Sequence, residues 1–452
     1  MKYLGVDIGS SSIKSAVLDL DKNAICVLPK VPSPARSPHP NERFFQVPAK
    51  EYLTLIKRMI EESAEAYGDL AGVLLSTQMH GFVLEDVYVS WQDTRCLDSH
   101  QNGKSFLEVL KEIIPAERMR ECGVPLKPSL GLCNLYAKLT RECRTGEGLE
   151  LFTLGSYLIA QLTGRNVCHA SNAGPLGFYN VYSRSWDREL LAICGMADLK
   201  LPEIAEHDFV PCGIYRTGRG EIPIFPDYGD QQISILGSGA RDKEAIINIA
   251  TAGQVSSFCS TPKAGDYEIR PYFDGSYLQV ISNMPAGRDL DVLSNFIRNI
   301  LEQMTGEPWS LKKVQQRMDS SFQPADPNYL EVATSFYPGR QDSGGSIRGI
   351  KPENLTLNQL LSAAYRNMAD TYWQNICHLQ DPEQVEAVVC AGGVSWKTPY
   401  LIEEVQKKSG RKCRLSCCPD EALYGLFQVA QHCAGISGSP SKNTFPKMMY
   451  HT

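Results

Sequence analysis

Three observations predict that this chain is an α/β protein of two related domains. Its 452 residues are too many for one ordinary hydrophobic core. Short apolar strands alternate with segments of helical periodicity along most of its length. Each half also opens on the same local pattern: a strand, a loop of small residues and a second strand. The repeat places a boundary near residues 240–244, and so predicts domains at 1–241 and 242–452.

In the first half, residues 3–8 and 13–20 read as strands around the loop Gly9-Ser10-Ser11-Ser12. Asp21-Lys22-Asn23 is a turn before a third strand at 24–28. The Pro-rich stretch 29–48 is expected to run irregularly over the surface, because proline cannot donate to a ladder. Within 49–67, Leu53, Ile56, Ile60 and Ala64 recur at helical spacing, and a strand follows at 72–76. Helices are predicted over 104–114 and 154–162, before an aromatic, glycine-rich stretch at 172–186. Near 222–239 a strand leads through a loop at Tyr228-Gly229-Asp230 into a helix. The second half restates the opening with a strand at 245–249, the loop Ala250-Thr251-Ala252-Gly253 and a strand at 254–259. It continues with a long helix at 355–379 and a buried strand at 385–390 that runs into Ala391-Gly392-Gly393. A helix at 398–408, a strand at 411–417 and a helix at 421–433 complete the pattern.

Composition narrows the function classes. The net charge of −6 is spread along the chain, and no basic block could neutralise a run of phosphates, so nucleic acid is not an expected partner. Compact anions remain candidates, since backbone amides and helix N-termini hold them without net positive charge. Most of the 15 cysteines sit singly in apolar runs with neither CxxC nor zinc-ligand spacing, which suits a reducing compartment. Asp7 stands where a signal peptide needs its apolar run, and no apolar stretch approaches the ~20 residues that cross a bilayer. A cytoplasmic location without membrane attachment is therefore expected. A homodimer is compatible with the sequence, although no segment marks its interface.

The small loops carry the chemistry. A tight Gly-Ser-Ser-Ser turn exposes backbone N–H groups and hydroxyls to which a phosphate can come close. Asp7, at the end of its strand, can face the same space and hold Mg²⁺ through water. Thr251 and Gly253 repeat the arrangement, and Gly392-Gly393 leave room for a flat adenine and ribose against the backbone. Asp230, between a glycine and two amides, reads either as a helix cap or as a general base that takes a proton from a sugar hydroxyl. Gln78-Met79-His80 and Trp91-Gln92-Asp93-Thr94-Arg95 supply amide, imidazole, carboxylate and indole groups suited to a polyol.

In this order the motifs resemble the FGGY family of carbohydrate kinases along essentially the whole chain. The matching stretches are residues 7–12, Gln78-Met79-His80-Gly81, Trp91-x-Asp93-x-Arg95, Gly229-Asp230-Gln231-Gln232, residues 248–254 and Ala391-Gly392-Gly393. The resemblance implies two actin-like, ribonuclease-H-type domains that close over a cleft, with sugar held mainly by the first and ATP by the second. It implies Asp230 as catalytic base with Gln231 beside the sugar, and Asp7 and Asp230 near the magnesium. By the same carry-over Gly9, Ser10, Ser11, Ser12, Thr251, Gly253, Gly287, Gly392 and Gly393 line the nucleotide site. The reaction implied is transfer of phosphate from ATP to a terminal primary hydroxyl of a ketose. A non-catalytic sugar or nucleotide sensor and a sugar-independent ATPase are the rival readings. Ala250 and Val394 stand where family members commonly carry glycine, and the sequence does not set their effect on nucleotide affinity.

Overall fold

Strand Lys2–Ile8 (β1) and strand Ser12–Asp19 (β2) form a hairpin in which Ile8 faces Ile13 and Gly9 N–H donates to Ser12 O at 3.1 Å. Leu4, Val6, Ile8, Ile13 and Val17 on one face and Tyr3, Ala16 and Leu18 on the other are buried, the mark of strands at the centre of a sheet covered on both faces. This computed structural model describes residues 1–337, 344–436 and 445–450. The sheet continues with Ala24–Val27 (β3), Gly72–Thr77 (β4), Gly213–Thr217 (β5) and Gly220–Gly229 (β6). Its order is β5-β6-β4-β1-β2-β3, with strand Lys447–Tyr450 beyond β3. β4 runs parallel to β1, and β6 runs parallel to β4. Asp7, Ser76 and Tyr228 are therefore in register, and so are Ile8, Thr77 and Gly229. The register of β6 shifts between Ile224 and Asp227, around Pro226, whose ring nitrogen has no hydrogen for the ladder.

Helix Ala49–Tyr67 (α1) buries Tyr52, Ile56, Met59, Ile60 and Ala64 against this sheet, the face its periodicity predicted. Helix Leu154–Thr163 (α2) starts at a reciprocal capping box between Thr153 and Ser156. Helix Asp230–Gly237 (α3) follows β6 directly, so the expected loop at 228–230 is absent and Asp230 is the first helical residue. α3 crosses helix Glu421–Cys433 at two glycines. A Cβ on Gly237 would lie 1.8 Å from Glu421 O, and one on Gly425 would lie 2.1 Å from Ile233 O. The Pro-rich stretch is also more regular than expected, because Val31–Pro32 pairs with β2 and Gln46–Pro48 pairs with Val87–Val89. Both are short edge pairings, the positions a sheet leaves open to proline.

The elements so far belong to one unit, comprising Met1–Gly237, Cys259–Leu278 and Asp420–Thr452. The other comprises Ser238–Phe258 and Gln279–Pro419. Its sheet is built from Glu244–Ile249 (β7), Gly253–Cys259 (β8), Tyr277–Met284 (β9), Ala387–Ala391 (β10) and Lys412–Leu415 (β11), in the order β9-β8-β7-β10-β11. β7 and β8 form an antiparallel hairpin, while β10 and β11 run parallel to β7 and to each other. The first unit has the same arrangement in β3-β2-β1-β4-β6. Helices Gly287–Thr305 (α4), Leu357–Leu379 (α5) and Pro399–Ser409 (α6) complete the described core of the second unit.

Candidate active site

Parallel strands gather the functional side chains of the first unit at their C-terminal ends, where open α/β sheets bind ligands. Asp7 is the penultimate residue of β1, Gln78 follows β4 with its N–H donating to Ile8 O at 3.1 Å, and Asp230 follows β6. Asp7 Oδ1 accepts from Ser76 Oγ at 2.8 Å. Burial raises the Asp7 carboxyl above its ordinary value, with Ser76 and Lys14 opposing the rise and Asp420 adding to it. Lys14 Nζ in turn pairs with Asp420 Oδ2 at 3.1 Å. Asp230 is pushed up to about 7, first by burial and then by the charge of Asp7; the N–H of Gln231 and the guanidinium of Arg270 pull the other way. Its Oδ1 accepts from the N–H of Gln231 at 2.8 Å, the next residue rather than one a turn away, so this is not the geometry of a helix cap.

Residues 78–81 pack beside this carboxylate. A Cβ on Gly229 would lie 2.7 Å from Met79 Sδ, so the thioether lies directly against the turn that carries Asp230. Gln78 is 5% exposed and donates to Tyr52 OH at 3.4 Å, while its Oε1 has no partner among the described residues. A buried acceptor of this kind is unusual and suits a ligand hydroxyl. His80 takes a positive φ of 68°, a strained conformation for a residue with a side chain, and its Nδ1 lies 2.9 Å from Pro175 O. Burial, then Lys127 and Arg270, hold its pKa well below the ordinary value. The ring is thus neutral, with Nδ1–H donating to Pro175 and Nε2 an acceptor. The loop residues Ser10 and Ser11 are exposed, and Ser33 anchors the loop through Oγ to Gly9 O at 2.7 Å and N–H to Ser11 O at 3.2 Å.

A buried network fixes the strand that delivers Asp230. Asp227 is fully buried and accepts from Thr153 Oγ1 at 2.6 Å, His169 N–H at 2.8 Å and Asn172 Nδ2 at 3.0 Å. Asn172 also donates to Thr77 Oγ1 at 2.9 Å, tying β6 to β4. Gly229 N–H donates to Ser171 Oγ at 2.8 Å, and His169 joins Ser171 to Asp208 through its two ring nitrogens. Burial raises Asp227 to about 6 despite the donors around it.

The Trp91–Arg95 motif is organised differently. Asp93 and Arg95 are 0% and 2% exposed and form a two-pronged ion pair of 2.8 and 2.6 Å, with Phe45 N–H also bound to Asp93 at 2.7 Å. The Arg95 guanidinium lies over the Phe44 ring at 4.4 Å. These two side chains are bonded mainly to each other, and of the motif Trp91 and Gln92 stand exposed. Sequence reasoning missed Lys14, Lys127, Asp227, Glu268 and Arg270. The one local signal was alternation in Glu268-Ile269-Arg270, which puts both charges on one face of a strand.

In the second unit the predicted glycines converge. Gly287 N–H donates to Ala250 O, Arg288 N–H to Thr251 O and Val394 N–H to Ile249 O, each at 3.0 Å. The 250–253 loop, the N-terminus of α4 and the turn after β10 thus meet at one corner. Gly392 has φ +85°, and a Cβ there would sit 2.4 Å from Asn248 Oδ1 and 2.6 Å from Ile249 O. A Cβ on Gly253 would meet Pro285 O at 2.8 Å, and one on Gly287 would meet Ala250 O at 2.8 Å and Val394 Cγ2 at 3.1 Å. Gly393 faces open space, and Thr251 is exposed. The penultimate residue of this unit's first strand is Asn248, where the other unit has Asp7.

Two units of this strand order define the actin-like, ribonuclease-H-type α/β class. Residues 2–237 match the N-terminal domain of the FGGY family of carbohydrate kinases, and the chain belongs to that family. It is a phosphotransferase that acts on sugars. It is 24% identical to sedoheptulokinase of Mus musculus, over 89% of this chain and 92% of that one. With xylulose kinase of Lactococcus lactis it shares 24% identity over 60% of this chain and 55% of the relative. The crystal structure of xylulose kinase from Rhodospirillum rubrum superposes with a TM-score of 0.82 at 17% identity, covering 97% of this chain and 91% of that one, a likeness of fold. Among the described residues no helix is long and apolar enough to cross a membrane.

Proposed function

We propose that this chain transfers the γ-phosphoryl group of ATP to a terminal primary hydroxyl of a ketose, with D-sedoheptulose, giving the 7-phosphate, as the leading substrate. The observation that carries the reading is the placement of Asp230 at the end of in-register strands, half-buried, with Gln78, Met79 and His80 beside it. The similarity to sedoheptulokinase over most of both chains supports the choice of sugar, and D-xylulose is the alternative.

In the reaction the sugar oxygen forms a bond to the γ-phosphorus, the bond from that phosphorus to the ADP oxygen breaks, and the hydroxyl proton passes to Asp230. A carboxyl at about 7 can be ionised at neutral pH and still hold a proton well. Gln78 Oε1 and neutral His80 Nε2 accept from sugar hydroxyls, and Gln231 and Trp91 complete the sugar wall. The buried Asp93–Arg95 pair holds the shape of that wall rather than touching the sugar. Residues 242–452 hold the nucleotide through Thr251, Gly253, Gly287, Gly392 and Gly393. Gly9, Ser10, Ser11 and Ser12 give backbone and hydroxyl donors to the phosphates. Asp7 and Asp230 suit Mg²⁺, since two carboxylates that raise each other's cost of ionisation are relieved by a cation, and magnesium commonly takes one or two carboxylates plus phosphate. When bound, the ion would neutralise charge on the phosphates.

The test is a panel of ketoses and polyols with ATP and Mg²⁺, following ADP release and fixing the phosphorylated carbon by NMR. Sugar-dependent ADP release with phosphate on a terminal carbon is the expected result. ADP release that no sugar accelerates would sink the reading.

A further inference from the structure

A cluster of charge lies beside Asp230 that the chemistry above leaves unused. Arg270 and Glu268 are 5% and 6% exposed. Arg270 donates through Nε and Nη2 to Glu268 Oε2 at 3.0 and 2.6 Å, and Lys127 Nζ donates to Glu268 Oε1 at 2.7 Å. Burial alone would raise the Glu268 carboxyl, yet Arg270 and Lys127 hold it well below the ordinary carboxylate range. The remaining arm of the guanidinium, Nη1, donates to Oε1 of Gln231. Burying such a cluster is costly, and apolar side chains of similar volume would often serve stability better.

We propose that Arg270 is a positioning residue for the sugar: clamped by Glu268, which Lys127 holds in turn, it fixes the Gln231 amide so that Gln231 offers a substrate oxygen its N–H and not its carbonyl. The inference rests on the reading of Asp230 and Gln231 as the sugar end of the site. Its physical basis is the asymmetry between the two groups. A side-chain amide can turn either its oxygen or its nitrogen toward a neighbour, whereas a guanidinium has only donors. Opposite Arg270, therefore, the amide oxygen must be the one facing the guanidinium. With Nε and Nη2 both committed to one carboxylate, the planar group cannot rotate, and the direction of Nη1 is set. His80, kept neutral, supplies the complementary acceptor. The pocket wall then has one fixed donor and one fixed acceptor, a pairing that distinguishes the arrangement of oxygens along a polyol.

The test is a double-mutant cycle in the full chain with ATP and the ketose of highest turnover. Arg270→Met should raise KM for the sugar about tenfold, in line with loss of one charge-assisted hydrogen bond, with kcat lowered less and KM for ATP unchanged. Arg270→Lys should recover part of the loss. In a Gln231→Leu background, Arg270→Met should add no more than about twofold, because the two residues act as one. Because Arg270→Met leaves Glu268 with fewer partners, the cycle is repeated with Glu268→Gln/Arg270→Met, which removes the pair together. Effects of Arg270→Met and Gln231→Leu that multiply, or an unchanged KM for the sugar, would overturn the proposal. In either case Asp230→Asn separates the two levels. Loss of turnover there confines the failure to Arg270, whereas wild-type turnover removes the reading of the site itself.

Discussion

The two units share a strand order but finish their first strands differently. In one, the penultimate residue of β1 is Asp7 and β6 delivers Asp230, so burial raises the pKa of two carboxyls there. In the other, the penultimate residue of β7 is Asn248, and the surroundings are glycines and backbone amides. Both corners use the same topological property: backbone at the ends of parallel strands is open to a ligand, while the rest of the sheet is packed. The difference lies in which side chains stand there. A carboxyl at about 7 beside a second one raised by burial can move a proton and hold a cation, whereas a corner shaped by glycine can only admit, orient and donate hydrogen bonds.

Breaking that contrast should have graded effects. The largest is expected from Asp230→Asn, which keeps the shape and removes the base. Turnover should fall by about 10²–10⁴-fold with the circular dichroism spectrum unchanged. A variant that still turns over like the wild type would mean that the charged corner does not move the proton.

The next effect is on stability and concerns Asp227. Its folded value of about 6 exceeds the ordinary ~3.9 of an unfolded aspartate, so the folded state binds the proton more tightly. The associated stability is complete below about pH 4 and is lost as pH rises through about 6, an order of ~2–3 kcal/mol. Urea unfolding of the wild type should show this decline between pH 4 and 6. Asp227→Asn should be less stable at every pH, since its NH₂ opposes donors, and should lack the slope. A slope that persists in the variant would assign it to another group.

In the glycine corner, Gly392→Ala adds a methyl group against Asn248 Oδ1 and Ile249 O at a residue with positive φ. KM for ATP should rise about tenfold and the melting temperature should fall, the strain being ~1–2 kcal/mol, while KM for the sugar stays within about twofold. A change in the sugar KM alone would exchange the roles given to the two corners. The smallest effect is expected from Asn248→Asp, which copies the charged strand end into the glycine corner. It should weaken ATP binding severalfold through repulsion of the phosphates, and more so at low salt than at high salt. Equal affinity at both ionic strengths would place the phosphates away from Asn248.

Legibility in the sequence followed the range of the interactions. The two hairpins, α1 and the helix at 421–433 could be read because alternation, helical spacing and turn residues are local properties. Asp7, Asp230, Thr251 and Gly392 could be singled out because each stands at a junction of elements. Asp93 and Arg95 looked like sugar ligands because their chemistry fits, but which partner a side chain takes depends on what folds against it, here each other and Phe45. The Pro-rich stretch was expected to be irregular because proline's limits are local, whereas open sheet edges are a property of the tertiary fold.

By itself, then, the sequence determined the class of fold, the repeated strand–loop–strand unit and the residue types able to handle phosphate and polyol. These depend on periodicity and on backbone freedom within a few residues. Only the tertiary structure decided that β1, β4 and β6 end in register, and that Lys127, Glu268 and Arg270 meet beside Gln231. It also decided that residues 259–278 and 420–452 complete the first unit. Such meetings join segments far apart in the chain, and burial, charge pairing and strand register set them only once the whole unit has closed around them.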